Sequence, residues 1–226
     1  MVTKSKGLRR KYESTEGYGS TEAAGAVCIN SLPGKGVQKR NSCGIPIVPE
    51  IEMKIVNGNG NPARPGEAGE LIFRGANVMK GYWHKPEATA KVFRDDWYYS
   101  GDIAYFDDDG YYYIKDRKND MIIRAAHNIY PKEIEDVLYT HDAIGEAQVV
   151  GVPDLAKGEE VVACIVLKPG MSLSEEEVID YCRKMLAAYK APKDVRFFDS
   201  LPKTIAGKLE KVTLRRMLEK EFRKAY

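Results

Sequence analysis

The residues best suited to chemistry lie in short loop motifs. Tyr18-Gly19-Ser20-Thr21-Glu22 combines an aromatic ring, a glycine, two hydroxyls and a carboxylate. A glycine lets the backbone approach a flat ligand, a hydroxyl can reach a phosphate, and a carboxylate can hold Mg²⁺ through oxygen. Alone, such a string is more typical of an ordinary turn than of a ligand site, so its interpretation depends on the rest of the chain.

Several well-known catalytic signatures are absent from the sequence. It has no G-x-x-x-x-G-K-[ST] loop, no H-E-x-x-H helix, no G-x-S-x-G elbow and no clustered Cys/His metal site. The histidines, His84, His127 and His141, are far apart and are more typical of structural or exposed residues than of catalysts. The four cysteines form no C-x-x-C pair, which favours reduced thiols and a cytoplasmic location.

Composition and charge exclude several classes of protein. The 226 residues are 43% hydrophobic and 30% charged, which is typical of a folded chain, and no stretch approaches the roughly 18–20 apolar residues of a membrane span. Lys and Arg number 35 against 33 Asp and Glu, so no global field points to nucleic acid. Residues 181–226 are locally basic, with 13 Lys and Arg against 5 Asp and Glu. This excess is typical of solvated helix faces; the alternative is a surface for a polyanionic ligand.

The elements that must position the motifs change character near residue 117. The first half is rich in Gly, Pro and Tyr and predicts β structure with turns, including a hairpin turn at residues 57–60. Strands are predicted at 51–56 and 70–75, a helix at 86–93, and a hairpin with strands at 102–106 and 111–116.

The register of that last hairpin has a chemical consequence. Pairing Phe106 with Tyr111 and counting outwards puts Asp102 opposite Lys115. Asp102 and the Asp116-Arg117 pair then lie at the same open end, which predicts a carboxylate beside a guanidinium.

The second half mixes helices with buried strands. Helices are predicted after Pro131, at 174–186 with a Ser174-x-x-Glu177 capping box, and near residues 214–222. Strands are predicted at 147–152 and 161–167. About 110 residues of this kind indicate a compact α+β domain.

Further motifs follow in a characteristic order and spacing. They are Gly69-Glu70-Leu71-Ile72-Phe73-Arg74-Gly75, Met79-Lys80-Gly81-Tyr82-Trp83, Pro86-Glu87-Ala88-Thr89, Tyr99-Ser100-Gly101-Asp102, Asp116-Arg117-Lys118-Asn119-Asp120, Asn128-Ile129-Tyr130-Pro131-Lys132-Glu133 and Leu201-Pro202-Lys203-Thr204-Ile205-Ala206-Gly207-Lys208. With Tyr18–Glu22 they resemble the adenylate-forming (ANL) superfamily, which includes acyl- and aryl-CoA synthetases, firefly-type luciferases and nonribosomal adenylation domains. The resemblance extends from about residue 16 to 220.

The resemblance implies an α+β fold in two parts. Residues 1–117 would be the β-rich C-terminal part of the large AMP-binding domain, and residues 118–226 the small, mobile α+β C-terminal domain. The hinge would be Asn119, where the family usually has Asp or Lys; asparagine tolerates unusual backbone angles.

It also implies an AMP-forming acid–thiol ligase of the acyl-CoA synthetase type. ATP and a small carboxylic acid would form an acyl-adenylate and pyrophosphate, and coenzyme A would then take the acyl group. The implied catalytic residues are Lys208, which would bridge phosphate and carboxylate, Thr21 at the α-phosphate, and Glu22 at Mg²⁺. The implied cofactor-binding residues are Tyr18 on adenine, Gly19, Asp102 and Arg117 on ribose, and Ile114.

Residues 124–128 depart from the family pattern. They are Arg124-Ala125-Ala126-His127-Asn128, where relatives usually have Ser/Thr-Gly-Gly-Glu-Asn in a loop that lines the pantetheine tunnel. Two added methyl groups restrict the backbone, so adenylation is better supported than thioester formation. Arg124 and Lys190 could instead favour the phosphates of coenzyme A.

The family's phosphate loop should lie upstream of Tyr18, and nothing in residues 1–16 matches it. The chain is therefore expected to correspond to the C-terminal portion of a synthetase and to be inactive without an N-terminal portion. The oligomeric state stays open, with a homodimer among the options.

A rival hypothesis is a noncatalytic nucleotide- or CoA-binding remnant that regulates a partner. Nucleic-acid binding through the basic tail lacks an aromatic platform or a known motif.

Overall fold

The computed structural model describes residues 15–32, 34–205, 207 and 209–222. Lys208, the implied catalytic lysine, lies outside the described residues. The chain contains both helices and mainly antiparallel sheets, which confirms the predicted α+β class. Among the described residues, no helix combines the length and the apolar character needed to cross a membrane.

The described residues divide into two compact units, with the division between Ile114 and Lys115. The predicted boundary at 117/118 stays a prediction. The first unit contains β1 (Gly17–Ser20), a short 3-10 helix (Thr21–Ala23), β2 (Gly25–Ile29), β3 (Ile45–Pro46), β4 (Glu52–Val56), β5 (Gly69–Arg74), α1 (Pro86–Val92), β6 (Phe93–Arg94), β7 (Trp97–Phe106) and the first half of β8 (Tyr112–Arg117). The second contains β9 (Ile122–Arg124), β10 (His127–Ile129), α2 (Pro131–Leu138), β11 (Ile144–Asp154), β12 (Gly158–Leu167), α3 (Glu175–Met185), β13 (Asp194–Phe197) and α4 (Lys211–Phe222).

The first unit has two sheets. Strands β1, β2 and β3 form one antiparallel sheet, and the other has the order β4-β5-β7-β6, with β8 paired to β7. The apolar side chains of both sheets meet in one core that includes Val27, Ile55, Leu71 and Phe73. The predicted strands at 51–56 and 70–75 and the helix at 86–93 are confirmed within a residue or two.

Two predicted turns differ in detail from the structure. The turn at 57–60 reverses the chain, because the Asn57 amide donates to the Asn61 carbonyl at 2.9 Å. The returning chain makes only an isolated bridge from Pro62 to Val56, however, and the partner strand β5 begins later, at Gly69. In the second hairpin, β7 begins at Trp97 rather than at residue 102, because β5 also pairs with its first half.

The second unit is a sheet with helices on both faces. Its strand order is β10-β9-β12-β11, and β13 lies parallel to β12. Alternate residues of β11 and β12 pack against α2 and α3 on one face and against α4 on the other. The predicted capping box of α3 is confirmed, since the Ser174 hydroxyl accepts from the Glu177 amide while the Glu177 carboxylate accepts from the Ser174 amide.

Candidate active site

Tyr18 and Asp102 meet in the first unit. The Tyr18 hydroxyl donates a hydrogen bond to Asp102 Oδ2 at 2.5 Å, across 84 positions of sequence. The Asp102 side chain is buried with its residue only 7% exposed. Burial, followed by the hydrogen bond to Asp102, raises the pKa of Tyr18, so the phenol stays protonated and acts as a donor. Two residues implied separately by the resemblance therefore form one contact.

A bulge in β7 aims Asp102 at Tyr18. The register between β5 and β7 shifts after Glu70, and Gly101 has a φ of +72°, a conformation that only glycine adopts at little cost. The Ser100 hydroxyl secures the bulge, since it donates to the Leu71 carbonyl at 2.7 Å and accepts from the Asp102 amide at 3.1 Å. Sequence reasoning missed this role of Ser100; the Ser-Gly step inside a strand was the available signal.

Glu22 is held by the segment that precedes α1. It lies in the short helix Thr21–Ala23, and its Oε1 accepts a hydrogen bond from the Tyr82 hydroxyl at 2.9 Å. The Glu22 carbonyl accepts from the Met79 amide at 2.7 Å, and the Asn77 side chain donates to the Ala23 carbonyl at 2.9 Å. Two separate sequence motifs thus build one rigid corner.

Tyr98 is a buried phenol that feels the charge of both carboxylates. It is 5% exposed, and its pKa is raised by burial, then by the negative charge of Glu22, with a smaller contribution from Asp102. Both carboxylates therefore act on one buried phenol. Neither Tyr98 nor Tyr82 was predicted as a site residue, although Tyr82 belongs to the motif at 79–83 and Tyr98 directly precedes the motif at 99–102.

A surface cavity of about 670 Å³ lies beside this network. It is lined by Gly17, Tyr18, Gly19, Ser20, Thr21, Gly25 and Ala26. The cavity is shallow and open to solvent. Ser20 Oγ is buried and has no hydrogen-bond partner among the described residues.

Three other implied site residues of the first unit have distinct surroundings. A Cβ at Gly19 would lie 2.0 Å from the Gly25 carbonyl oxygen, so the close approach of β1 and β2 itself requires glycine there. Thr21 is exposed at the cavity, and its carbonyl accepts from the Ala24 amide. Ile114 is half-buried and packs on the first unit's core.

The remaining implied site residues that the structure describes lie in the second unit. Arg117 is exposed and its amide donates to the Asp116 carboxylate at 2.8 Å, while the other Asp116 oxygen accepts from the Lys132 amide at the start of α2. Asn119 is exposed, and its carbonyl accepts from Arg215 at 3.3 Å. The predicted placement of Arg117 beside Asp102 stays a prediction.

Both cations assigned to coenzyme A phosphates have carboxylate partners. Arg124 Nε lies 2.7 Å from Glu160 Oε2, and that glutamate is 3% exposed. Lys190 Nζ lies 2.6 Å from Glu133 Oε1. A phosphate would have to share or replace these ion pairs.

The departure at Ala125-Ala126 is a two-residue hairpin turn. Arg124 pairs with His127, and the two alanines between them have φ values of +48° and +66°. A turn with both central residues left-handed matches the twist of a hairpin but strongly prefers Asn and Gly. Each alanine there costs roughly 1–2 kcal/mol. The backbone expected of a Gly-Gly turn is therefore kept, with the strain of two added methyl groups.

Relief of this strain is a first testable prediction. We expect Ala125→Gly and Ala126→Gly each to raise the free energy of unfolding by about 0.5–1 kcal/mol, because the lost strain exceeds the added backbone entropy of the unfolded chain. Urea unfolding monitored by circular dichroism measures it. Ala188→Gly is the control, since Ala188 is exposed and lacks a positive φ, and it should be neutral or destabilising. A lower free energy of unfolding in both turn variants would contradict the claim that the alanine turn is strained.

Comparison with known proteins matches both halves of the chain. The family "AMP-binding enzyme" matches residues 5–83, and the family "AMP-binding enzyme C-terminal domain" matches residues 133–208. The long-chain-fatty-acid–CoA ligase of Bacillus subtilis is 47% identical over 221 residues, covering 95% of this chain and 38% of the relative. The feruloyl-CoA synthase of an Amycolatopsis species is 43% identical over 209 residues, covering 92% of this chain and 42% of the relative.

Solved structures give the same result. MatB of Rhodopseudomonas palustris with bound ATP superposes with a TM-score of 0.83 at 33% identity, over 91% of this chain and 40% of that one. The Bacillus subtilis o-succinylbenzoate CoA synthetase, in complex with its acyl-adenylate intermediate, gives 0.82 at 36% identity, over 92% of this chain and 41% of that one. The chain therefore spans about two fifths of the length of these relatives.

Proposed function

The chain belongs to the adenylate-forming superfamily, and from that premise we propose that it supplies the AMP-binding edge and the lid of an acyl-CoA synthetase. The complete enzyme would convert a carboxylic acid and ATP into an acyl-adenylate and pyrophosphate, then pass the acyl group to coenzyme A. The observation that supports this best is the buried Tyr18–Asp102 contact beside a cavity lined by Tyr18 and Thr21.

The roles of the first unit's residues follow from their chemistry. A carboxylate is an acceptor only, so Asp102 suits the two ribose hydroxyls of a nucleotide, and the Tyr18 hydroxyl fixes its orientation. Thr21 lies at the cavity where a phosphate would follow the ribose. Glu22 provides carboxylate oxygens for Mg²⁺, which when bound offsets the negative charge of the phosphates. Lys208 would place a cation at the charge that develops during attack by the acid.

The thioester step is proposed with coenzyme A as acceptor. Arg124 and Lys190 would meet its phosphates in exchange for their bonds to Glu160 and Glu133. An N-terminal portion carrying the phosphate loop and the acid pocket is the proposed partner. A homodimer and a cytoplasmic location belong to the same proposal.

The rival function is a nucleotide- or CoA-binding remnant without catalysis. Two observations favour it: the strained alanine turn and the occupation of both candidate phosphate-binding cations by carboxylates. The ligase is favoured by three residues that match the family's motifs: Asp102, Arg117 and Lys208.

Carboxylate-dependent exchange of pyrophosphate into ATP distinguishes the ligase from the noncatalytic remnant. The chain is assayed alone and mixed with the upstream portion of the Bacillus subtilis long-chain-fatty-acid–CoA ligase, against a panel of acids. We expect exchange in the mixture with one class of acid. If neither sample shows exchange and the chain still binds AMP or coenzyme A, the result would favour the noncatalytic remnant.

Tyr82 provides a prediction about the Mg²⁺ site. Tyr82→Phe removes the hydroxyl that orients Glu22, and a hydrogen bond worth about 1 kcal/mol corresponds to about fivefold. We therefore expect the Mg²⁺ concentration at half-maximal exchange to rise about fivefold. Tyr113→Phe is the matched control, because Tyr113 donates to Asp107, a different carboxylate, at 3.0 Å. Equal shifts in both variants would rule out a specific role for Tyr82.

A further inference from the structure

One face of the β1-β2-β3 sheet presents apolar residues to solvent. Gly17 lies opposite Ile29, and Ile29 lies opposite Ile45, so these three residues share one side of the sheet. Their neighbours Tyr18 and Cys28 point to the other side and pack in the first unit's core. An antiparallel sheet with one solvated face normally has polar residues there, whereas Ile29 and Ile45 are 39% and 42% exposed. The outward row of this sheet is therefore apolar.

The exposed apolar surface continues beyond β3. Ile47 and Val48 are 40% and 43% exposed, and both line an open depression next to the sheet. Together with Ile29 and Ile45 they form what we call the outer face. Four exposed aliphatic side chains in one region exceed the single scattered ones that are normal on a surface, and such patches mark interaction sites.

The two sequence segments that form the outer face carry no charge. Residues 23–34 and 41–49 contain no Asp, Glu, Lys or Arg, although 30% of the whole chain is charged. Charged side chains, Lys above all, are what proteins usually place on an exposed strand to prevent association. Their absence from these segments indicates a surface that another polypeptide covers.

Strand β1 also has a free edge. It is the end strand of its sheet, since it pairs with β2 and with no other strand among the described residues. The Asn30 amide donates to the Glu16 carbonyl at 2.8 Å, so the backbone groups of the next residue, Gly17, point to the opposite edge. An exposed edge of this kind is a template for one more strand.

We propose that the upstream portion of a synthetase docks here, where it adds a strand to β1 and covers the outer face. This inference rests on the proposed function, which names that portion as the partner. The chain covers only 38% of the Bacillus subtilis relative, so a large part of that protein is available to supply the strand and the apolar cover. The outer face is thereby an internal surface of the assembled large domain.

The size of the sheet argues against a second copy of the chain as the occupant. Its strands have 4, 5 and 2 residues, so with ~3.3 Å per residue and ~4.8 Å between strands its face measures roughly 200 Å². A stable dimer buries about 800 Å² on each partner. A strand added at β1 extends the sheet instead and contributes backbone hydrogen bonds in addition to apolar contact.

The test co-expresses the chain with the upstream portion of the Bacillus subtilis long-chain-fatty-acid–CoA ligase and measures their association by analytical ultracentrifugation. Ile29→Lys/Ile45→Glu places opposite charges directly across β2 and β3, so the sheet keeps a favourable cross-strand pair while the outer face becomes charged. We expect the association constant to fall about 10- to 1,000-fold, the range that corresponds to burying an ion pair in place of apolar residues.

Val37→Lys/Leu155→Glu is the matched control. It adds the same two charges at residues that are 66% and 88% exposed and lie outside the outer face, so association should equal that of the parent chain. Circular dichroism verifies that each variant is folded, and Ile47→Glu replaces the double variant if that one is not.

Parent-like association of a folded outer-face variant would overturn the proposal, and so would failure of the parent chain to associate with a folded upstream portion. A parent chain that dimerises on its own, and that Ile29→Lys/Ile45→Glu converts to a monomer, would assign the outer face to a second copy instead. Association that depends on the outer face but gives no pyrophosphate exchange would support the interface while the proposed ligase function fails.

Discussion

Replacing Asp102 with alanine is expected to weaken AMP binding by the chain at least about 100-fold. The reason is the loss of two hydrogen bonds from a charged acceptor to ribose, each worth about 1.5–3 kcal/mol, where each 1.4 kcal/mol is a factor of ten. The change also leaves the Tyr18 hydroxyl without its partner in a buried site. We expect a lower free energy of unfolding as a second effect, by about 1–3 kcal/mol.

Calorimetry with AMP and urea unfolding measure the two effects separately. Asp102→Asn keeps one acceptor oxygen for Tyr18, so it should recover most of the stability and little of the affinity. Asp109→Ala is the matched control, since that carboxylate is 73% exposed and pairs with Lys39. An Asp102→Ala chain that binds AMP as tightly as the parent would exclude Asp102 from the nucleotide site.

Replacing Lys208 with alanine is expected to reduce adenylation about 100- to 1,000-fold, the usual effect of removing one group that stabilises developing charge. The reduction should appear in pyrophosphate exchange by the mixed portions. AMP affinity of the chain should change little, because the lysine acts on the phosphate and the attacking acid rather than on adenine or ribose.

A matched lysine in the same segment is available as a control. Lys203 Nζ lies 2.5 Å from Glu146 Oε1, so Lys203→Ala removes a partly exposed ion pair and should leave exchange within about twofold. Similar losses in both variants would indicate a structural effect on the segment. Full exchange with Lys208→Ala would exclude this lysine from the reaction.

Much of the local structure could be predicted from sequence because it depends on neighbouring residues. Ser174 and Glu177 are three positions apart, and their capping box needs only the first turn of α3. The hairpin turn at Asp107 likewise depends on one carboxylate, which accepts from the amides of Asp109 and Tyr111. The predicted start of β7 was wrong. Pairing with β5 extends the strand, and no local sequence pattern indicates that partner.

Candidate residues for the site could be named from the sequence, but their contacts could not. Motif order predicted Tyr18, Glu22 and Asp102 as site residues, which stays a prediction, whereas the Tyr18–Asp102 bond depends on a bulge that only the register of β5 and β7 reveals. Tyr82 and Tyr98 gained their roles through tertiary packing.

The basic residues show a second limit of prediction from sequence. Net charge cannot tell a cation that is available for a phosphate from one already paired within the fold. Arg124 and Lys190 were predicted to face coenzyme A, and the structure provides each with a carboxylate instead. Their role at coenzyme A stays a prediction, and so does that of Asn119 as a hinge.

The most direct test of adenylate formation is identification of the nucleotide product. The chain and the upstream portion of the Bacillus subtilis relative are incubated with ATP, Mg²⁺ and the acid that supports exchange, without coenzyme A, and the products are analysed by mass spectrometry. An acyl-adenylate and pyrophosphate in equal amounts, dependent on both portions, is the predicted result. ADP and phosphate, or unreacted ATP although both portions are folded and bound to each other, would contradict the assignment of this chain to adenylate formation.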